Sequence, residues 1–283
     1  MKRTVKNRRR ITAAVLIAVS LAIVVGLVSI LHKPKPSHRG KPLSYWLQGY
    51  TASVFGSSIT NAPSRLEADE AVRDVGTNAV PLLLWMIRQK ESPLKETISR
   101  ILQKQSFIRW RYSPPWLLNA QAQGGFRSLG PSASNAVPDL MEILDQDISI
   151  ASRQVVISAL ASVGPSAKSA SPLLLQALTN SDGYVRAHAA FALGKIEAQP
   201  ESVIPDLIKA LSDPSSDVRL NALVSLSEYG TNARLAVPAL FEWYQNETNR
   251  PANLQAESVD AGMLLQVALE RINAEAAAKS VAK

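Results

Sequence analysis

The chain has 283 residues, is 46% hydrophobic and contains no cysteine, which excludes disulfides, thiolate metal sites, a cysteine nucleophile and an N-terminal lipoprotein anchor. Its formal charge is +8, but ten of the 31 Lys and Arg lie in residues 1–41, which hold none of the 23 acids; residues 42–283 therefore carry 21 basic against 23 acidic residues, net −2. A phosphate-tracking groove needs the opposite distribution, so no nucleic-acid partner is expected.

Residues 1–10, MKRTVKNRRR, form a basic segment with six cations. Residues 11–31, ITAAVLIAVSLAIVVGLVSIL, are 21 residues without a charge. At ~1.5 Å per residue they span ~30 Å, the thickness of a bilayer core. The positive-inside rule keeps the preceding cations in the cytoplasm and puts the rest on the far side. In a bacterium this is a single-pass inner-membrane protein with its bulk in the periplasm. A cleaved signal peptide has an apolar core of about 7–15 residues and a small-residue cleavage site. This run is longer and leaves through VSILHKPKP, so an uncleaved transmembrane signal anchor is expected. Residues 32–42, HKPKPSHRGKP, are proline-rich and basic and read as a stalk. His32 and His38 have no third ligand nearby, so no metal site is expected there.

Residues 43–275 read as one all-α solenoid. Leu43, Trp46 and Leu47 recur at helical spacing, and a first helix presenting Trp46 and Tyr50 is expected to cap the stack. Ser64–Gln89 is a shortened first repeat. Pro81 and Pro138 are 57 residues apart, one period plus about 24 residues, which places an insertion at about 93–118. It carries Phe107, Arg109, Trp110, Arg111, Tyr112 and Trp116. Aromatics interleaved with arginine either wedge the insertion against the next repeat or form a binding platform; both roles stay open.

From Asn119 the pattern is regular. LGPSASNAVP, VGPSAKSASP, IEAQPESVIP and YGTNARLAVP end at Pro138, Pro172, Pro205 and Pro238, spaced 34, 33 and 33 residues apart. Such a period with helical patterning in both halves specifies stacked helix pairs. In the first helices Val156, Ala189 and Ala222 align, as do Leu160, Leu193 and Leu226, and Val163, Ile196 and Tyr229. Gly130, Gly164 and Gly230 supply the left-handed C-cap; Glu197 replaces glycine in the third copy, whose turn is expected to differ. The four prolines fall in the first turn of the second helix, where no amide donor is needed. Leu140, Leu174, Leu207 and Leu240, then Leu144, Leu178, Leu211 and Tyr244, complete the core. Arg153, Arg186 and Arg219 each follow an Asp or Asn (Asp147, Asn180, Asp213) by six residues, a ladder expected to fix repeat register, with the Asp or Asn capping the next helix. In the tail, Leu265, Leu269 and Ile272 make one stripe and Val259, Met263 and Val267 a second; residues 276–283 are expected to fray.

The sequence helix–Gly–turn–Ala-Val-Pro-x-Leu–helix–Asp–Val-Arg resembles HEAT repeats of the phycobilisome-lyase-like type, weakly over Glu67–Gln89 and well over Asn119–Ala239. GKPLSYWL at Gly40–Leu47 resembles the segment that opens membrane-anchored HEAT proteins of planctomycete and verrucomicrobial type. The resemblance implies an armadillo-like superhelix that binds other proteins along a concave helix face.

No catalysis and no cofactor are expected. There is no His-Glu dipeptide, no G-x-S-x-G and no phosphate loop, and His188 is the only histidine beyond residue 38. The candidate surface is the row of second helices, expected as the inner wall. Glu142, Gln176, Lys209 and Glu242 lie four residues after the prolines, with Asp139 and Asp206 one turn earlier. Such a column is either a solvated face or the place where a protein partner is recognised through many weak contacts. The expected function is a membrane-anchored scaffold; a small-ligand carrier or lyase-like protein and an envelope spacer are the alternatives.

Overall fold

The structure, a computed structural model, describes residues 36–52, 62–94, 97, 113–146, 148–249 and 261–281, with side chains of the last helix to residue 272. Ser37–Lys283 is one compact unit. The basic segment 1–10, the expected anchor 11–31 and Arg109, Trp110, Arg111 and Tyr112 lie outside the described residues. Among the described residues no helix is long and apolar enough to cross a membrane.

The end of the expected stalk is part of the folded unit. Strands β1 (Ser37–His38) and β2 (Lys41–Pro42) pair antiparallel, His38 opposite Lys41. The two residues between them, Arg39 and Gly40, both have positive φ, 48° and 73°, the type I′ geometry that matches strand twist. The hairpin is fastened to the helical part of the chain. His38 is buried with Nδ1 3.0 Å from Asp74, Arg39 donates to Glu70, and the Trp46 indole donates to the His38 carbonyl at 3.0 Å. Ser37–Pro42, expected as stalk, therefore belongs to the folded unit.

Helix α1 (Leu43–Trp46) and a 3-10 turn (Leu47–Tyr50) bury Leu43, Trp46 and Leu47 and form the expected cap. Tyr50 reaches Asp69 at 2.9 Å and Ser128 at 2.7 Å, tying the cap to the first two repeats. Burial, joined by the neighbouring Asp69 carboxylate, pushes the Tyr50 phenol above its ordinary range, so it stays neutral.

Five helix pairs follow among the described residues: α2 (Arg65–Val75) with α3 (Val80–Ile87), α4 (Pro115–Leu129) with α5 (Val137–Asp145), α6 (Ile150–Val163) with α7 (Ser171–Ala177), α8 (Gly183–Lys195) with α9 (Pro200–Ala210), and α10 (Ser216–Glu228) with α11 (Val237–Thr248). A last helix, α12 (Ala261–Val281), packs on the final pair. Ser64 opens α2 with a capping box closed by Glu67. Pro81, Pro138, Pro172 and Pro238 occupy the first turn of their helices, as the sequence demands. Pro205 does not. Helix α9 begins early, at Pro200, and carries Pro205 inside it. The turn before α9 also lacks the 3-10 segment of the other copies, yet Glu197 holds a positive φ of 48° where they have glycine.

The leucine columns of the first helices, and Leu140, Leu174, Leu207 and Leu240 of the second, are fully buried. First helices pack directly on each other along the stack; consecutive second helices meet little. Small side chains permit this. A Cβ added to Gly194 of α8 would lie 2.5 Å from the Ser225 hydroxyl of α10. Across the same seam Asn221, Ser225 and Tyr229 donate to the carbonyls of Ala187, Ala190 and Leu193. The second helices, expected as the inner row, are thus the more widely spaced row, and a groove opens between α3 and α5.

Two further bounds and one apolar stripe differ from expectation. Trp116 belongs to α4, because the Pro114-Pro115 pair starts that helix and ends the insertion earlier than residue 118. Helix α12 continues to Val281 through the good helix formers of EAAAK. Met263 and Val267 of its second stripe face solvent, while Leu265, Ala268 and Ile272 are buried.

Candidate functional site

The arginine ladder is a structural device. Arg186 makes two hydrogen bonds to Asp213, both 2.8 Å, and also donates to the Asn180 carbonyl. Arg219 repeats the arrangement with Glu247, twice at 3.0 Å, and the Asp213 carbonyl. Arg186 and Arg219 therefore each reach back to their own turn and forward to an acid at or just past the end of the second helix of their pair. Asn180 and Asp213 do not cap helices as expected. Each accepts from the amide two residues on, folding the turn, and Asp182 caps α8 instead. Asp147 lies outside the described residues.

Asp213 gives this ladder an acid limit. Burial alone would raise its carboxyl; the hydrogen bonds from Arg186 and the Ser215 amide, with the charges of Arg186 and Arg219, outweigh burial and hold it below the usual range. For a depressed acid the stabilisation is complete above the unfolded pKa, about 3.9, and is lost as pH falls through the folded value. Urea unfolding from pH 6 to pH 3 is expected to show wild type and Asp213→Asn converging below about pH 4. A gap of constant size over that range would contradict the assignment.

The expected column lies on the second-helix row, and the structure joins some of its members. One Arg88 nitrogen, at the C-terminal end of α3, donates to Asp139 at 3.1 Å and to Glu142 at 3.2 Å on α5. Glu142 also accepts from Gln146 at 2.7 Å. Lys209 pairs with Asp206 on α9 at 2.7 Å. Gln176 and Glu242 are exposed on α7 and α11. Between α3 and α5 a groove of about 520 Å³ opens, lined by Thr77, Asn78, Val80, Pro81, Leu84, Arg88, Asn135 and Asp139. Arg88 was missed because the insertion breaks the period that would have aligned it. A more apolar hollow of about 480 Å³ lies between α11 and α12, lined by Tyr244, Leu265 and Leu269 among others, away from the column.

The two helix rows differ in charge. Helices α3, α5, α7, α9 and α11 hold seven carboxylates and one lysine. The first helices, α2, α4, α6, α8 and α10, are close to neutral, with seven Lys and Arg against six carboxylates. Among the described residues no three His, Asp or Glu come together as a metal site. His188 is half-buried, with Nδ1 2.7 Å from the Tyr184 carbonyl. Trp116 is 45% exposed on α4.

Residues 171–259 match the family model for HEAT repeats. No curated protein matches the chain. Among solved structures, an engineered protein is 19% identical over 82% of this chain and 98% of its own, with a TM-score of 0.45. A designed armadillo repeat protein in complex with the peptide (KR)4 is 15% identical over 82% of this chain and 99% of its own, with a TM-score of 0.41. A second designed armadillo repeat protein is 17% identical over 82% and 100%, with a TM-score of 0.42.

Proposed function

We propose that this helical-repeat protein is a membrane-anchored, non-catalytic scaffold that binds a protein partner through its second-helix face. The observation that carries the reading is the division of labour between the rows. The first helices are consumed in close mutual packing, whereas the second helices leave polar side chains and an open groove for another molecule. Solenoids recognise partners over such extended rows. The charge-free run 11–31 behind six cations supports the anchor, with the N-terminus inside and the solenoid on the outer side of a cytoplasmic membrane. The sequence resemblance to membrane-anchored HEAT proteins of planctomycete and verrucomicrobial kind agrees with it. Glu142, Gln176, Lys209 and Glu242, with Asp139 and Asp206, are the contact residues.

Two measurements test it. An alkaline-phosphatase fusion at the C-terminus is expected to be active in a bacterial host; an inactive fusion sinks the topology. A cross-linked pull-down with the full-length chain is expected to retain a partner that the Glu142→Lys, Lys209→Glu, Glu242→Lys variant loses while keeping its helical circular dichroism. Equal capture by both proteins moves the binding face elsewhere. The alternative platform of Arg109, Trp110, Arg111, Tyr112 and Trp116 then becomes the better site.

A further inference from the structure

From the charge of the second-helix face and the groove cut into it, we infer that the partner presents an extended basic segment, with a lysine or arginine seated between α3 and α5. The inference rests on the scaffold reading above and gives its partner a chemistry.

The charge balance carries it. Of the seven carboxylates on the second helices, Glu247 is buried against Arg219. The other six (Asp139, Glu142, Asp145, Glu201, Asp206 and Glu242) are exposed or half-exposed. Facing them from the same row are Lys209, paired with Asp206, and Arg88, which divides one nitrogen between Asp139 and Glu142. One guanidinium thus serves two carboxylates, with Asp145 exposed nearly one turn further along α5. Lys90 and Glu91, just beyond Arg88, are both exposed and offset each other. The first helices are close to neutral, so a basic partner is drawn more strongly to the second-helix row.

The groove adds shape to charge. Pro81 and Leu84 give it an apolar wall against which the methylene stem of a lysine can lie. Asp139 stands in the groove and Glu142 beside it, where an ammonium would compete with Arg88 for their oxygens. Asn78 and Asn135, both exposed, line it from the two turns and carry the donors and acceptors that a peptide backbone needs.

The test is fluorescence anisotropy with two labelled nine-residue peptides, one alternating Lys with Ala and one alternating Glu with Ala, added to the full-length chain in a non-ionic detergent. The Lys peptide is expected to bind, and to weaken about tenfold between 50 and 300 mM salt, because the attraction is screened. Asp139→Asn with Glu142→Gln is expected to weaken it about fivefold or more. Arg88→Ala releases both carboxylates and is expected to tighten it about threefold, a gain that general loosening of the fold would not produce. Equal binding of the Glu peptide, no binding of either, or indifference to both sets of substitutions overturns the inference. A partner pulled down through the second-helix face that proves neutral or acidic there overturns the basic segment while leaving the scaffold standing. Loss of capture altogether removes both.

Discussion

Replacing Arg219 by alanine is expected to cost the C-terminal repeats about 3–5 kcal/mol, because it leaves Glu247 as a buried charge without its partner. Both side chains are nearly inaccessible, 1% and 5% exposed. The guanidinium makes two hydrogen bonds to Glu247 and others to the carbonyls of Asp213 and Pro214. Alanine strands all of these acceptors at once. The loss should be regional, since each repeat contacts only its neighbours. Hydrogen exchange in α10 and α11 is expected to speed up by about two to three orders of magnitude while α4 and α5 keep their protection. Arg219→Met with Glu247→Leu is expected to recover a large part of the loss, because a buried ion pair is worth little more than apolar side chains of similar size. The recovery stays incomplete, as the turn carbonyls remain without their donor. A single variant that exchanges like wild type would show that Arg219 does not join these repeats.

Leu193→Ala is expected to destabilise the fourth pair by about 2–5 kcal/mol, the range for a buried leucine whose cavity does not collapse. Collapse is hindered here. Gly194, the next residue, already lies against Ser225, and the Leu193 carbonyl is held by the Tyr229 hydroxyl at 3.0 Å. Leu235→Ala is the matched control. Leu235 is 83% exposed in the turn before α11, and its truncation should change stability by less than about 0.5 kcal/mol. Limited proteolysis that nicks the Leu193 variant between α8 and α10 and spares the Leu235 variant would bear this out. Equal sensitivity would mean that the aligned leucine column is not the core.

Much of this architecture was legible because its causes are local and repeated. Proline at the first turn of a helix and glycine at a left-handed cap are constraints of one residue's backbone, and the 33-residue recurrence multiplied a weak signal. The leucine columns were legible for the same reason. What escaped depended on distant partners or on broken period. His38 looked like a stalk residue because Asp74, its partner, lies 36 positions on. Arg88 stands before the insertion, so nothing aligned it with the later repeats. Pro205 misled in the opposite way: it keeps its place in the repeat, but the Gln199-Pro200 turn starts the helix about one turn early. The spacing of the two rows was partly written in the small residues Ala189, Gly194 and Ala222 of the first helices, which permit close approach. The second helices were still expected as the inner row. The candidate column lies on the second helices, but its division into Arg88-bound, Lys209-bound and open carboxylates depends on contacts between separate helices that no local pattern encodes.

The most direct measurement is site-specific photo-crosslinking in living cells of the native host. A photoreactive residue is placed at Gln176 or Glu242 on the second helices, or at Ser158 or Phe191 on the first. All four positions are solvent-accessible to some degree, so each variant can fold with the probe in reach of a partner. The account predicts a discrete higher-mass adduct, the same from both second-helix positions, and none from the first-helix positions. An adduct formed through Ser158 and Phe191 alone would contradict it.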